Sequence, residues 1–439
     1  MVHVQPFQGL RYNPAQLSSL ADVVAPPYDV ISPEQQQALY DKSPYNVVRL
    51  ILGQTTDKDS DTNSVYTRAR DFLEAWRSSG VLAQDETPAF YGYNQSWPDG
   101  GKTVTRTGFI GRLQVEPFET GQVLPHEWTL GGPKADRLAL MKTTGAILSP
   151  IFCLYDDPAK QIDYTPGPNA VNLTDAEGTK HTFWPITDPG QVALIQQVLE
   201  SQSVLIADGH HRYETALAHS QWRREQDGTT ETAAGSNPYD YTLSFFTNMA
   251  DEGLRVYPTH RVFKSHPDGW HAGKLVNAFH KHFEPEDDPD QVLLWLQTPR
   301  QPKQGFRLKD HAPIDGVHEV LRQLDVAYLD QLLFVEELGQ SANDLKAAGH
   351  LAFIRDEAEV HRLLISNPDT VVFWVHAPDV QAVKDICSKS KDTGIRMPQK
   401  STYFYPKLLS GLVFSYFGPP KTGLVNATST TTVTAAANS

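Results

Sequence analysis

The chain has very few cysteines and no long apolar run. Only Cys153 and Cys387 occur among 439 residues, far apart and in no metal-like spacing. Such usage predicts a reducing, cytoplasmic compartment. No apolar run approaches the roughly 20 residues that span a bilayer. Residues 1–7 also lack the basic and apolar regions of a secretory signal. We therefore expect a cytoplasmic protein with no membrane partner.

Positive charge and several familiar nucleotide motifs are also scarce. The 38 Lys and Arg residues face 52 Asp and Glu residues, which gives a formal net charge of −14. Because binding to nucleic acid draws most of its affinity from clustered basic residues, we expect no nucleic-acid partner. The sequence has no glycine-rich Walker loop, dinucleotide fingerprint or Gly-x-Ser-x-Gly elbow. These absences argue against the best-known nucleotide sites and against a serine hydrolase.

The composition that remains is that of a globular protein. Hydrophobic residues make up 40% of the chain and charged residues 21%. Strand-like segments alternate with helical ones, which predicts an α+β or mixed α/β architecture. We predict one body over 1–418, with possible sub-regions 1–265, holding the site, and 266–418. Residues 419–439 are rich in Thr, Ala, Ser and Asn and are predicted to be disordered.

One stretch combines a short apolar strand, a glycine turn and the start of a helix. His210, His211 and Arg212 open this helix, whose N-terminus already carries partial positive charge, so an anion placed there would be stabilising. We interpret the stretch as a phosphate cradle made by backbone N–H groups after Gly209, with His211 and Arg212 as further donors. Asp208 would hold a metal ion or accept a proton. The alternative is that Asp208 only caps the helix.

A second polar stretch contains His126, Glu127, Lys134 and Arg137. Loops dense in such groups often carry function. The functional interpretation is a second wall of the site, with Glu127 as a base and Lys134 or Arg137 facing phosphate. The alternative is a solvated loop in which Asp136 caps the next helix. A zinc site of histidines is disfavoured because the usual local ligand spacing is missing.

Five further residues are weaker candidates. Tyr28 and Asp29 follow two prolines that set their direction, although a rigid turn shaping the core explains them equally well. Arg49 lies in a predicted apolar strand and needs a carboxylate or phosphate partner. His260 precedes another arginine and is either a substrate contact or half of a solvated pair. Tyr403 belongs to an aromatic run that either stacks a base or fills the core.

Lysines flank that aromatic run on both sides. Lys400 precedes Tyr403, and Lys407 follows it. Lys407 is a candidate phosphate ligand, because a lysine ammonium binds phosphate as a point charge.

Two resemblances add to this interpretation. Asp208-Gly-His-His-Arg-Tyr resembles the phosphate-binding signature of the ParB/sulfiredoxin-like fold, particularly in the nucleotide-dependent free-serine kinases. Over nearly the whole body the chain resembles the bacterial domain-of-unknown-function 1015 family. The segments that carry this second resemblance are Pro26-Pro-Tyr-Asp-Val-Ile, Asn46-Val-Val-Arg-Leu, His126-Glu127, Asp136-Arg137, Ala207-Asp-Gly-His-His-Arg-Tyr-Glu-Thr-Ala and Thr402-Tyr-Phe-Tyr-Pro-Lys.

The kinase resemblance implies a fold, a reaction and roles. It implies a ParB/sulfiredoxin-like core around Asp208, with large additional α/β segments. Asp208 would assist a magnesium ion or activate a hydroxyl, while His210, His211 and Arg212 would hold the phosphates of ATP or ADP. The base would be an earlier carboxylate, for which Glu127 and Asp29 are candidates on chemistry alone. The leading hypothesis is a kinase for a small hydroxylated metabolite such as free serine; the alternative is a ParB-like binding protein that catalyses no transfer.

Overall fold

The computed structural model describes residues 1–127, 131–229 and 235–420. The predicted disordered tail lies almost entirely outside these ranges. Within them, the strands are β1 (Val4–Gln5), β2 (Leu10–Tyr12), β3 (Leu82–Gln84), β4 (Phe90–Asp99), β5 (Lys102–Arg106), β6 (Phe109–Gln114), β7 (Val123–Leu124), β8 (Ala146–Ile147), β9 (Ile151–Tyr155), β10 (Val171–Thr174), β11 (Lys180–Ile186), β12 (Val204–Asp208), β13 (Tyr241–Asn248), β14 (Arg255–Tyr257), β15 (His260–Phe263), β16 (Phe283–Pro285), β17 (Leu294–Gln297), β18 (Gln304–Leu308), β19 (Leu351–Ile354), β20 (Val371–Trp374), β21 (Tyr403–Tyr405) and β22 (Ser415–Tyr416).

The helices surround and connect these strands. In the same ranges the α-helices are α1 (Pro33–Lys42), α2 (Val48–Ile51), α3 (Val65–Ser78), α4 (Gly131–Thr144), α5 (Pro189–Glu200), α6 (His210–Asp227), α7 (Ala272–His282), α8 (Asp325–Tyr328), α9 (Ala342–Ala347), α10 (Glu357–Ser366) and α11 (Val380–Thr393). A π-helix (Leu329–Glu337) continues α8. None of the helices in the described ranges combines the length and apolar character needed to cross a bilayer.

Two sheets organise the molecule. The large sheet has ten strands in the order β10-β11-β4-β6-β13-β9-β12-β7, with β1 beside β6 and β5 beside β4. The second sheet has six strands in the order β16-β18-β17-β20-β15-β19. Parallel and antiparallel pairs occur together in the large sheet. The predicted mixed α/β class is therefore confirmed.

The central strands of the large sheet form the main core. All eight residues of β13 and all five of β9 are buried, and four of the five residues of β12 are buried. A strand covered on both faces by other elements is buried along nearly its whole length, as these are. This rigid centre fixes the end of β12, where Asp208 lies.

Local sequence signals predicted several elements correctly. Ser32-Pro33-Glu34 predicts a helix start and an end near Lys42; in the structure Ser32 caps α1 in a capping box with Gln35, and the helix ends at Lys42. The Pro-Asp-Gly-Gly segment joins β4 to β5 as an antiparallel hairpin, with positive φ at Gly100 and Gly101.

The predicted strand containing Arg49 is wrong. This segment forms the short helix α2, because the buried side chain of Asn46 accepts a hydrogen bond from the Val48 N–H at 2.9 Å and starts a turn. Its amide also donates to the Asp22 and Val24 carbonyls, at 2.8 and 3.1 Å. A local contact of an asparagine side chain with the backbone thus overrides the apolar pattern.

The sequence pattern from Pro313 to Leu338 predicts one helix, and this prediction is also wrong. The chain there forms two 3₁₀ turns, then α8 and the π-helix. Gly316 falls inside the first 3₁₀ turn, where it weakens any continuous helix.

Candidate functional site

The turn after β12 has the geometry that the sequence predicts. Gly209 has φ 97° and ψ 29°, a conformation that strongly favours glycine, and it is the N-cap residue of α6. Asp208 is therefore not the helix cap. The pairing of β12 with β9 shifts register between Ile206 and Asp208, and such an irregularity re-aims the side chain that follows. Because Gly209 offers no side chain to cap α6, its first N–H groups remain available to an anion.

Two cations hold the carboxylate of Asp208. Its Oδ1 accepts a hydrogen bond from Lys407 Nζ at 2.8 Å, and its Oδ2 accepts one from Arg212 at 2.6 Å. Arg212 also donates to the Pro150 carbonyl. Burial alone would raise the pKa of Asp208, but Lys407 and Arg212 outweigh it and hold this pKa well below its usual range. Asp208 is thus an ionised group in a strong cationic environment.

Histidines tie the second polar stretch to this turn. His126 is fully buried, and its Nδ1 lies 2.7 Å from the Ile206 carbonyl, which can only accept a hydrogen bond. Nδ1 therefore carries a proton, and Nε2 lies 2.9 Å from the Thr402 hydroxyl. His210 Nε2 accepts a hydrogen bond from the His126 N–H at 3.2 Å. Burial, together with the neighbouring His126, lowers the pKa of His210 to about 3, so His210 is neutral.

Glu127 lies beside this histidine pair. Its Oε1 is 3.6 Å from His126 Nε2 and accepts a hydrogen bond from the Thr402 hydroxyl at 3.4 Å. Burial raises the pKa of Glu127, but His126, through a side-chain hydrogen bond, and Lys400 outweigh it and lower this pKa to about 2. Glu127 is therefore a second permanent negative charge near the turn.

Three carboxylates from separate segments act electrostatically on Lys400. Desolvation of its ammonium group lowers the pKa of Lys400, although the residue as a whole is exposed; Glu127, Asp29 and Asp208 outweigh that effect and raise it. Asp29 is exposed and has no hydrogen bond or ion pair with any other described residue. Charges from segments that the chain separates widely therefore act on one cation.

The remaining candidates on the α4 side also lie at this site. Tyr28, Arg137 and Arg212 line one small cavity of about 40 Å³, and the Arg137 guanidinium lies 4.1 Å from the Tyr28 ring centre. Lys134 forms an ion pair of 2.7 Å with Glu214 on α6. Burial lowers the pKa of half-buried His211; Lys134 and Lys400 act in the same direction, and Glu214 and Asp29 oppose it.

Tyr403 forms the aromatic side of the site. Lys407 Nζ lies 4.3 Å from the centre of its ring, and the Arg355 guanidinium lies 4.9 Å from it. Burial raises the pKa of Tyr403 to about 12, so its hydroxyl is protonated at neutral pH. The ring faces cations at these distances, as aromatic rings commonly do.

Two predicted site residues lie elsewhere. Arg49 donates to the Tyr40 carbonyl at 2.8 Å and covers the Tyr40 ring at 4.3 Å, so it has an aromatic partner instead of the expected carboxylate or phosphate. His260 is buried in the second sheet, where its ring lies 4.6 Å from that of Trp374 and its Nδ1 accepts from the Val375 N–H. Neither residue contacts the groups around Asp208.

Sequence reasoning missed several residues that shape the site. Thr402 links His126 to Glu127. The sequence singles out Lys400 beside the aromatic run, but no local pattern indicates its positive φ of 56°. Glu214 was visible one helical turn after His210 but was not considered as the partner of Lys134. The other contacts depend on distant segments and leave no local signal.

The described residues offer little support for a protein-built metal site. Magnesium prefers six oxygen ligands and is usually held by one or two carboxylates together with phosphates and water. Both oxygens of Asp208 are occupied by Lys407 and Arg212. In ranges 1–127, 131–229 and 235–420 no three His, Cys, Asp or Glu residues are grouped to hold a metal ion. As arranged, these side chains do not fit a magnesium ion.

The comparisons establish the family. Fold and site define a mixed α/β protein with a charged cluster at the end of a central strand. The family model described as a protein of unknown function, DUF1015, matches residues 4–327. The chain therefore belongs to the DUF1015 family. No curated protein matches the sequence.

Several solved structures are similar, with low sequence identity and a low TM-score. A free serine kinase in complex with AMP is 13% identical, with a TM-score of 0.34, over 70% of this chain and 92% of that one. A mutant free serine kinase in complex with ADP gives 14% identity, a TM-score of 0.34 and the same coverage. SbnI with a C-terminal truncation, from Staphylococcus aureus, is 10% identical, with a TM-score of 0.35, over 69% of this chain and 86% of that one. Structural similarity at this level defines no function. The ParB/sulfiredoxin-like core remains a prediction.

Proposed function

We propose that the protein is a nucleotide-dependent phosphotransferase that phosphorylates the hydroxyl group of a small metabolite. ATP or ADP would be the donor, and free serine is the acceptor favoured by the motif resemblance. The observation that carries the proposal is the Asp208 carboxylate, held between Lys407 and Arg212 immediately before an uncapped helix N-terminus. Phosphoryl transfer relies mainly on positioning and neutralisation of charge, which such a cluster supplies.

The donor phosphates would bind at the start of α6. The first N–H groups of an α-helix lack intrahelical acceptors and attract anions. Lys400 and Arg212 would add positive charge, because both act on the same carboxylate, Asp208. His210 takes a different role from the one its sequence position suggests. As a neutral ring accepting from the His126 N–H, it would hold residues 126–127 in place.

Asp29 is the better candidate for the general base. An efficient base has a pKa near the working pH, and the pKa of Glu127 is lowered to about 2. The carboxylate of Asp29 is exposed and has no partner among the described residues, so it is free to accept a proton from a hydroxyl group. Glu127 would instead orient Thr402 and balance Lys400.

The alternative is a nucleotide- or phosphometabolite-binding protein that catalyses no transfer. One specific observation favours it: both oxygens of Asp208 already accept hydrogen bonds from cations. A carboxylate engaged in this way stabilises a binding site but is not free to take a proton. The two functions share the same anion cradle and differ only in chemistry.

Product formation separates the two functions. The purified protein is incubated with ATP or ADP, magnesium and a panel of small hydroxylated acceptors, and phosphorylated product is measured. Asp208→Asn should lower turnover at least about a hundredfold while the protein stays folded. The matched control is Asp59→Asn, which breaks an Arg68–Asp59 pair far along the sequence from the site motifs.

Each outcome of this experiment decides between hypotheses. Product from wild type together with loss in Asp208→Asn supports the transferase. Thermal stabilisation by nucleotide without product from any acceptor supports the binding protein. Neither product nor stabilisation would contradict both, and wild-type turnover in Asp208→Asn would remove Asp208 from the mechanism.

A further inference from the structure

Two arginines are completely buried without an acidic partner. Arg106 and Arg261 are both 0% exposed, and neither has a carboxylate within 4 Å among the described residues. A buried charge that lacks a counter-charge is costly unless strong hydrogen bonds compensate. The groups to which these guanidiniums donate therefore point to the reason for their burial.

Arg106, at the end of β5 in the large sheet, donates to one end of a short segment. Its guanidinium binds the Tyr405 carbonyl at 3.2 Å and the Pro406 carbonyl at 2.6 Å. It also contacts the side chain of Gln95, whose amide donates to the Lys407 carbonyl at 3.0 Å. Three successive carbonyls are thus held from the large sheet.

Arg261, in β15 of the second sheet, donates to the other end of the same segment. Its guanidinium binds the Lys400 carbonyl at 3.0 Å and the Gln399 carbonyl at 3.1 Å. A third hydrogen bond, of 2.6 Å, goes to the Thr259 carbonyl beside it. One arginine from each sheet therefore fixes residues 399–407, which we name the cation strap.

The cation strap carries both lysines of the site. Lys407 binds Asp208 at 2.8 Å, and the charges of Glu127, Asp29 and Asp208 raise the pKa of Lys400. Lys400 also has a positive φ of 56°, which a side-chain-bearing residue holds only when its surroundings enforce it. The hydrogen bond from Arg261 to the Lys400 carbonyl supplies that enforcement.

We propose that Arg106 and Arg261 are positioning residues that set the two ends of the cation strap: Arg106 the end where Lys407 meets Asp208, and Arg261 the end where Lys400 holds its positive φ. The inference rests on the proposed function for its catalytic consequence, but the placement of the strap is independent of it. It also assigns a role to the second sheet, which holds one end of the strap through Arg261. Lys407, at the other end, binds Asp208 at the end of β12. A misplacement of about 1 Å is enough to lower catalysis about a hundredfold.

The placement of Lys407 can be measured without any reaction. Surface and site lysines are acylated with a water-soluble amine reagent, and the rate at each lysine is read by mass spectrometry. Arg106→Lys replaces the planar guanidinium with a single ammonium group, which cannot hold two carbonyls and Gln95 together. Lys407 should therefore leave Asp208 and react several-fold faster. Exposed Lys58 reports the reagent, and Arg112→Lys is the matched control, since Arg112 lies in β6 of the same sheet and donates to the Ser415 hydroxyl in β22, outside the strap.

The second arm tests Arg261 by hydrogen exchange. Arg261→Lys should speed amide exchange over residues 399–403 and leave the acylation of Lys407 at the wild-type rate. If Arg106→Lys does not fold, Gln95→Met tests the same end of the strap, because Gln95 contacts both Arg106 and the Lys407 carbonyl. Unchanged acylation of Lys407 in the folded variant would overturn the role of Arg106, and unchanged exchange would overturn that of Arg261.

The third arm links the strap to catalysis. Arg106→Lys should lower kcat about a hundredfold at a melting temperature close to that of wild type, whereas Arg112→Lys should keep wild-type kcat. Faster acylation of Lys407 with wild-type kcat would overturn the positioning role. If the wild type makes no product, the proposed function fails, while the acylation and exchange results still decide how the strap is held.

Discussion

At the scale of single residues, the site depends on an unusual balance of charge. Asp208 and Glu127 both keep a lowered pKa in partly buried positions, because cations or histidines surround each of them. Neutral His210 adds no charge and instead joins the two carboxylate segments through the His126 N–H. The residues closest to the turn thus divide into charged groups and neutral groups that hold them in place.

Glycine at position 209 is required for two separate reasons. Its φ of 97° disfavours any side chain, and an added Cβ would lie 3.0 Å from the Arg212 guanidinium and 3.0 Å from Ile151. Gly209→Ala should therefore cost about 1–3 kcal/mol of unfolding free energy and displace Arg212 from Asp208. Urea unfolding measures the loss.

Gly228→Ala is the matched control for this prediction. Gly228 follows the other end of α6 at φ 64°, and an added Cβ there meets no atom within 4 Å. It therefore carries the backbone strain without the contacts. Equal losses in the two variants would show that the contacts with Arg212 and Ile151 are unimportant.

The lowered pKa of Glu127 predicts sensitivity to acid. A carboxyl whose folded pKa is about 2, against an ordinary 4.5, adds stability that is fully present above about pH 4.5 and is lost as the pH falls toward 2. That stability amounts to about 3 kcal/mol. Glu127→Gln should remove it and flatten the acid side of the stability curve, measured by urea unfolding from pH 2.5 to 7. A curve parallel to wild type would contradict the shift.

At the scale of elements, local signals predicted what local contacts determine. The capping box of α1, the hairpin of β4 and β5, and the strand-turn-helix around Gly209 all follow from residues within a few positions. The helix α2 was missed, since the buried Asn46 side chain makes its decisive hydrogen bonds to residues more than 20 positions away as well as to Val48.

The candidate site shows the same division. Motif reasoning found Asp208, Glu127 and Lys407 separately, and the structure brings them together. It could not predict the placement of Lys400, because Arg261, which binds the Lys400 carbonyl, lies 139 positions away. It also placed Arg49 and His260 at the site, since an arginine or histidine among apolar residues looks the same whether its partner is a ligand or an aromatic ring.

The π-helix contains a buried carboxyl group that weakens the fold at neutral pH. Burial raises the pKa of Asp330 to about 6, with Arg261 opposing, and its Oδ1 has no hydrogen-bond partner among the described residues. The folded state binds this proton more tightly than the unfolded one. Stability therefore falls as the pH rises from about 4 to 6 and stays reduced above that.

Asp330→Asn should remove this loss. The free energy of unfolding at pH 7.5 minus that at pH 4 should be up to about 3 kcal/mol larger in the variant than in wild type. Urea unfolding at the two pH values measures it, and Asp310→Asn at a side chain that is 93% exposed is the control. An unchanged difference between the two pH values would contradict the raised pKa.

At the scale of the whole molecule, the sheets extend beyond the matched family region. The match ends at residue 327, yet the second sheet takes β19 and β20 from beyond it, and β20 lies between β17 and β15. Strands β21 and β22 pair with β14 and β8. The cation strap also lies beyond residue 327.

Truncation should therefore separate two cases. Removing residues 328–439 deletes β20, whose four residues are all buried, and each large apolar side chain lost from a core removes roughly 1.5–3 kcal/mol. The deletion also removes four buried residues of the π-helix, Leu329, Leu332, Leu333 and Phe334. The eight side chains together contribute roughly 12–24 kcal/mol, which matches or exceeds the 5–15 kcal/mol by which a domain is typically stable, so the fragment 1–327 should show no cooperative urea unfolding. Removing only residues 421–439, a Thr- and Ala-rich stretch with little to bury, should leave the midpoint unchanged. A cooperative transition of fragment 1–327 at the wild-type midpoint would show that the second sheet and the cation strap are dispensable for folding.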